Sequence, residues 1–147
     1  MRLTLHTDYA LRLLMYLGLH ADRRCTIEEI AESYGISRNH LMKVALTLTQ
    51  QGFVDSQRGR NGGLMLGQKP EAIRVGAVVR ATEDNFTLVE CFDRATNTCL
   101  IAPNCRLKQP FGEAVEAFLA VLDRYTLADM LGNPSMMRGL NRLLGAA

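Results

Sequence analysis

A mainly α-helical chain with one small β-hairpin is what the sequence predicts, and three observations point there. Two long stretches, about Thr7–His20 and Arg106–Tyr125, place apolar side chains at helical spacing. The segment "IEEIAESYGISRNHLMKVAL", residues 27–46, has the small residue, glycine turn and apolar anchors of two helices packed at a corner. Behind it, two short β-prone runs flank Asn61-Gly62-Gly63, a hairpin signal. Together these predict a winged helix-turn-helix domain followed by a long C-terminal dimerisation helix. The expected organisation is a winged helix-turn-helix DNA-binding domain over 1–70, a connecting helix over 71–90, a cysteine-bearing cluster loop over 91–105, and the dimerisation helix with a C-terminal helix over 106–147.

Taken in order, the first helix carries Leu11, Leu14, Met15 and Leu17 as its apolar stripe. Asp8 and Arg12 within it, and the absence of a small-residue cleavage site, read as an amphipathic helix and not a signal peptide. Thr26, with Glu29 three residues on, starts the second helix as a capping box, and Gly35 ends it in the left-handed conformation. Ser37 caps the third helix, which Gly52 ends. Phe53–Ser56 and Leu64–Leu66 form the wing. "IRVGAVVRATE" continues as a helix with Val75, Val78, Val79 and Thr82 on one side. Pro110 falls in the first turn of the 106–125 helix or kinks it. Thr126 with Asp129 starts a short helix at "TLADML", and the 145–147 tail is expected to fray.

With 147 residues, 48% apolar and 22% charged, the chain suits one folded core. No apolar stretch approaches the roughly 18 to 20 residues of a membrane span, and clustered cysteines in a chain without a leader suggest a reducing, cytoplasmic setting. The net charge is only +2, but between Arg38 and Arg60 four basic residues face a single acid, Asp55. That bias suits a polyanion. In the corner motif Ala31 allows close helix approach, Ile36 plugs the turn, and Leu41 and Val44 anchor the third helix. Arg38, Asn39 and His40 then stand at its N-terminal end, with Lys43 a turn later, where a recognition helix meets base edges in the major groove of double-stranded DNA. Arginine pairs bidentately with guanine and asparagine with adenine. On the wing, Arg58, Arg60 and Asn61 are placed for phosphates or the minor groove.

The second chemical signal is "CFDRATNTCLIAPNC", residues 91–105, which holds three of the chain's four cysteines as C-x7-C-x5-C. Structural zinc sites use close Cys pairs and four Cys or His ligands, and this loop has neither. Three thiolates spread along a polar loop suit an iron–sulfur cluster better, because its irons take ligands from several directions. One coordination position is left open, with Cys25, Glu90, Asp93 or a residue from another subunit as candidates. A weak or oxygen ligand there would leave one iron reactive towards small molecules and make the protein a sensor. The apolar side chains Phe111, Val115, Phe118, Leu119 and Leu122 exceed what a small winged helix covers, so this helix is expected to pair with its twin in a homodimer reading a palindromic operator.

"LTLHTDYALR", "SRNHLMKV", "RGRNGGLMLG" and the loop ending "APNCRLKQ" resemble, in that order and over nearly the whole chain, the Rrf2-type bacterial regulators, and among them the nitric-oxide-sensing repressors. The resemblance implies one iron–sulfur cluster per subunit, 4Fe-4S in the first place and 2Fe-2S as the alternative. It implies Cys91, Cys99 and Cys105 as ligands, and operator release when nitric oxide attacks the cluster. It also implies Asp8 of the partner subunit as fourth ligand; otherwise Asp8 reads as a first-turn carboxylate favoured by the helix dipole. Two departures stand out: the Cys91–Cys99 gap is longer than the resemblance leads one to expect, and Cys25 lies outside the motif as an incidental thiol open to oxidation. A thiol-based redox regulator and a regulator of iron or cluster status share this fold and remain alternatives. An iron–sulfur electron carrier or enzyme has little use for Arg38–Asn61, and no catalytic pair or substrate pocket is evident, so no enzyme activity is expected.

Overall fold

A computed structural model describes residues 2–145. Of the expected frayed tail, 146–147 lie outside the described residues. Seven helices and one hairpin follow in the order α1 (Leu5–Leu19), α2 (Ile27–Tyr34), α3 (Arg38–Gln50), β1 (Val54–Gln57), β2 (Gly63–Leu66), α4 (Val75–Thr82), α5 (Lys108–Leu122), α6 (Leu127–Leu131) and α7 (Pro134–Leu143). Among the described residues no helix is long and apolar enough to cross a membrane.

The first helix begins two residues earlier than its apolar stripe suggests. Thr4 is its cap: the Thr4 hydroxyl oxygen accepts the Thr7 N–H at 3.2 Å, while Thr7 itself is buried. Helix α2 starts at Thr26 as read, with the hydroxyl accepting the Glu29 N–H at 3.1 Å, and Gly35 ends it at φ 62°. Ser37 occupies the cap position of α3 but its side chain makes no capping bond, which corrects that expectation. The corner closes as the motif requires. Ala31 and Ile36 are buried, and Leu41 and Val44 project into the core at 1% exposure or less.

The hairpin strands pair antiparallel, Val54 with Leu66 through Gln57 with Gly63, one residue further along at the first strand than read from sequence. Phe53 drops out of the strand because it is spent on the core, and its N–H closes α3 on the Leu48 carbonyl at 2.9 Å. The residue 25 backbone pairs with Leu64 in both directions at 2.8 Å, so the loop after α1 becomes a third, one-residue edge to the wing.

The core draws on more than the first 70 residues. Leu13, Leu14 and Leu17 of α1 are fully covered, each burial being worth roughly 1.5–3 kcal/mol. They meet Ile30, Leu41 and Leu48 on one side, and Val78 of α4 with Leu127 and Leu131 of α6 on the other. A Cβ on Gly18 would lie 2.6 Å from Leu131 Cδ1, so glycine there is what lets α6 sit on α1. The short α6 has the full capping box, Thr126 with Asp129. Helix α7 was not evident from sequence. Asn133 caps it by accepting the Ser135 and Met136 N–H groups, and Pro134 occupies its first turn.

Helix α5 is shorter than the 106–125 stretch and carries Pro110 in its first turn. None of its residues is buried, and Phe111 and Val121 are 37% and 41% exposed. Its apolar stripe therefore has no full cover within one chain.

Candidate DNA interface and cysteine loop

Arg38, Asn39, His40 and Lys43 are all exposed on α3, because Leu41, Val44, Ala45 and Leu48 turn the opposite side of the helix into the core. Arg38 lies 3.4 Å from Glu28 of α2, a contact between two side chains about 60% exposed, which leaves the guanidinium free to exchange partners. His40 sits beside Tyr9 of α1, ring centroids 6.1 Å apart. Arg58, Arg60 and Asn61 are exposed at the tip of the wing. Gly59 at φ 106° and Gly63 at φ 146° make that tip, and a Cβ on Gly62 would run into the Gln57 carbonyl. Among the described residues Lys43, Arg58 and Arg60 have no carboxylate partner.

Asp55, the one acid in the basic stretch, faces Arg24, which forms an ion pair with it and donates to the Gly63 carbonyl at 3.2 Å. Arg24 was not singled out from sequence. It lies 31 residues from Asp55, and only the wing's folding back onto the Cys25 backbone joins them. Its effect is to cancel the negative charge beside the wing and leave the face positive.

All four cysteines are free thiols. Cys91, Cys99 and Cys105 are half-buried along a loop with two short 3-10 turns, Glu90–Phe92 and Ala102–Asn104. The loop braces itself. Glu90 accepts the Thr98 amide at 2.8 Å and hydroxyl at 2.9 Å. Asp93 accepts the Ala95 amide and the Thr96 hydroxyl, and Asn97 accepts the Cys99 amide at 3.1 Å. These donors hold both carboxyls below the usual carboxylate range, the Thr98 and Ala95 amides contributing most. Glu90 and Asp93 thus have a structural task in the loop.

Cys25 differs in kind. It is fully buried, and that burial pushes its thiol up to about 12. Burial and proton affinity set this thiol apart from the three on the loop. Asp8, in the first turn of α1, is half-exposed and paired with Arg12, Oδ2 to the guanidinium at 2.7 Å.

Among the described residues no three Cys, His, Asp or Glu side chains converge to hold a single metal ion. The donor set fits a cluster in its chemistry: three unpaired thiols, partly sheltered, on one loop that sets its own backbone path.

The connecting segment that leads to the loop is tied to the DNA-facing half. Glu83, at the end of α4 and eight residues before Cys91, accepts the Thr4 N–H at 2.8 Å and the Thr4 hydroxyl at 3.1 Å at the start of α1. The Thr82 and Thr7 hydroxyls lie 2.9 Å apart in the core. In the same first turn of α1, His6 Nε2 lies 3.2 Å from the Thr47 hydroxyl of α3.

Comparison with known proteins accords with this architecture. The Rrf2 family profile, described as iron-dependent transcriptional regulator, matches residues 3–133. The chain is 52% identical over 134 residues to the HTH-type transcriptional regulator NsrR of Bacillus subtilis, covering 90% of this chain and 92% of that relative. It is 49% identical over 144 residues to NsrR of Halalkalibacterium halodurans, covering 97% and 99%. Among solved structures, IscR of T. potens superposes with a TM-score of 0.71 at 26% identity, covering 89% of this chain and 86% of that one. A positive recognition face, a wing and near-full-length similarity at about half identity make one conclusion: this chain is a DNA-binding repressor of the Rrf2 family of winged-helix transcriptional regulators.

Proposed function

We propose that this repressor responds to nitric oxide through an iron–sulfur cluster held by Cys91, Cys99 and Cys105, with Asp8 of the partner subunit as the fourth ligand in a homodimer. The observation that carries the reading is the loop itself: three free, half-buried thiols on a self-braced segment that follows α4, whose end is hydrogen-bonded to the helix behind the recognition helix. The relatives named NsrR support it. A 4Fe-4S cluster is the first expectation and 2Fe-2S the alternative. When bound, the cluster supplies iron that binds nitric oxide.

The chain's own residues account for the rest. Arg38, Asn39, His40 and Lys43 enter the major groove, while Arg58, Arg60 and Asn61 take the backbone or minor groove. The uncovered stripe of α5 pairs with its twin and spaces two recognition helices for a palindromic operator. In this reading 1–70 carries DNA contact, 71–90 connects, 91–105 binds the cluster and 106–147 dimerises. Glu83 and Thr4 join the end of α4 to α1, and His6 with Thr47 joins α1 to α3, so a change in the loop that shifts the connecting segment reaches the recognition helix through four named groups. To move an operator from mostly bound to mostly free, the coupling must reach about 5.5 kcal/mol.

The test is an anaerobic gel-shift titration with iron, sulfide and absorbance followed in parallel. A brown protein that holds a promoter fragment and releases it as graded nitric oxide bleaches its absorbance supports the proposal. A colourless protein whose binding ignores nitric oxide but follows thiol oxidation would replace the cluster with a cysteine redox switch.

A further inference from the structure

On α3 the residues Asn39, Met42, Lys43 and Leu46 fall at i, i+3, i+4 and i+7, which puts them on one stripe of the helix. That stripe points away from the core. Met42 is 45% exposed and Leu46 59% exposed, although the other bulky aliphatics of this helix, Leu41, Val44 and Leu48, are all buried. Single exposed apolar residues are ordinary. Two of them four residues apart, interleaved with a polar and a cationic side chain on the DNA-facing helix, call for a ligand that is both anionic and locally apolar.

A protein partner docking here would bury Lys43 beside the apolar pair, and Lys43 has no carboxylate partner among the described residues. That carries a large desolvation cost unless the partner is acidic at that spot. The DNA major groove meets both requirements at once. Its walls offer phosphates to Lys43, and thymine alone among the bases presents a methyl group, at C5, on its floor. The flexible thioether of methionine can adjust to reach it.

We propose that Met42 and Leu46 are specificity-determining residues that read thymine methyl groups, Met42 from the second turn of the helix and Leu46 one turn beyond. Operator half-sites then contain thymines recognised by their methyl groups, in addition to bases recognised by hydrogen bonds from Arg38 and Asn39. The inference rests on α3 entering the major groove and does not depend on the cluster's ligands or on nitric oxide.

The test uses the full-length protein purified without oxygen and a duplex that it selects from a random-sequence pool. Each thymine of that duplex is replaced in turn by deoxyuridine, which removes only the methyl. The expected result is a loss of about fourfold in affinity at one or two thymines per half-site, the equivalent of one buried methyl at about 0.8 kcal/mol. A Met42→Ala/Leu46→Ala double variant should bind thymine and uracil duplexes equally, and Met42→Ala alone should lose one subset of the uracil-sensitive positions. Both side chains are exposed, so an unchanged thermal melt verifies that these variants fold. Wild-type affinity that ignores every uracil, or penalties that persist in the double variant, would overturn the proposal. A pool that yields no enriched duplex would overturn the major-groove placement of α3 itself, and this inference with it.

Discussion

Cys25 offers a quantitative test of how the four thiols divide. Burial raises its pKa from 9.0 to about 12. At pH 8 an ordinary thiol of pKa 9.0 is about one part in ten thiolate, whereas Cys25 would be about one part in ten thousand. Its alkylation should therefore run about a thousandfold slower than that of an exposed cysteine, before steric exclusion from a fully buried position slows it further. Cluster-free, reduced protein treated with iodoacetamide at pH 8 should gain three adducts, on Cys91, Cys99 and Cys105, and a fourth only in denaturant. The variant Cys25→Ala should retain the wild-type iron and sulfide content, which Cys91→Ala, Cys99→Ala and Cys105→Ala should each lose. The sign of the pH dependence follows from the same shift. The unfolded chain ionises this thiol near 9 and the folded one near 12, so its contribution holds below about pH 9 and is lost as pH rises towards 12. Native-state labelling of Cys25 at the rate of Cys91 would refute the burial and reopen its role.

Further outcomes are expected of individual side chains. Arg58→Ala with Arg60→Ala should weaken binding to all DNA sequences alike and flatten the log–log salt dependence by about 2 units, while Arg38→Ala should cost about 1–3 kcal/mol at the operator without changing iron content. Asp8→Ala removes only an exposed Arg12 pair within its own chain, so the fold should survive with a Tm close to wild type, while the nitric oxide response or cluster retention falls; unaltered cluster spectra and response would remove Asp8 from the ligand set. Glu83→Ala should leave iron binding intact and widen the gap between the nitric oxide dose that bleaches the protein and the dose that frees DNA, compared by absorbance and gel shift. Gly18→Ala should destabilise the chain by about 1–3 kcal/mol in a denaturant melt, because its methyl would come within 2.6 Å of Leu131 Cδ1 and push that buried side chain off its seat on α1.

Much of the candidate interface was legible because its signals are local. Gly35, Ile36, Leu41 and Val44 define the corner within ten residues, and their periodicity alone forces Arg38, Asn39, His40 and Lys43 outward. The apolar stripe of α5 and the turn at Asn61-Gly62-Gly63 are equally local. Errors fell where a residue's task depends on something distant. Phe53 left its strand to cover the core, and Ser37 held a cap position without a capping bond; α7 is the exception, since both its Asn133-Pro134 start and the spacing of Met137, Leu140 and Leu144 are local.

The sequence by itself determined that this is a winged helix with a positive recognition face and a three-cysteine loop, since turn chemistry, helical period and residue spacing are properties of short segments. Only the tertiary structure decided which groups meet across the chain. Arg24 neutralises Asp55 from 31 residues away, and Glu83 holds Thr4 from 79 residues away. It also decided how the four cysteines differ. In the sequence they are one residue type four times over; in the fold, three lie on a partly open, self-braced loop and the fourth is sealed behind the wing, where low polarity keeps its proton on.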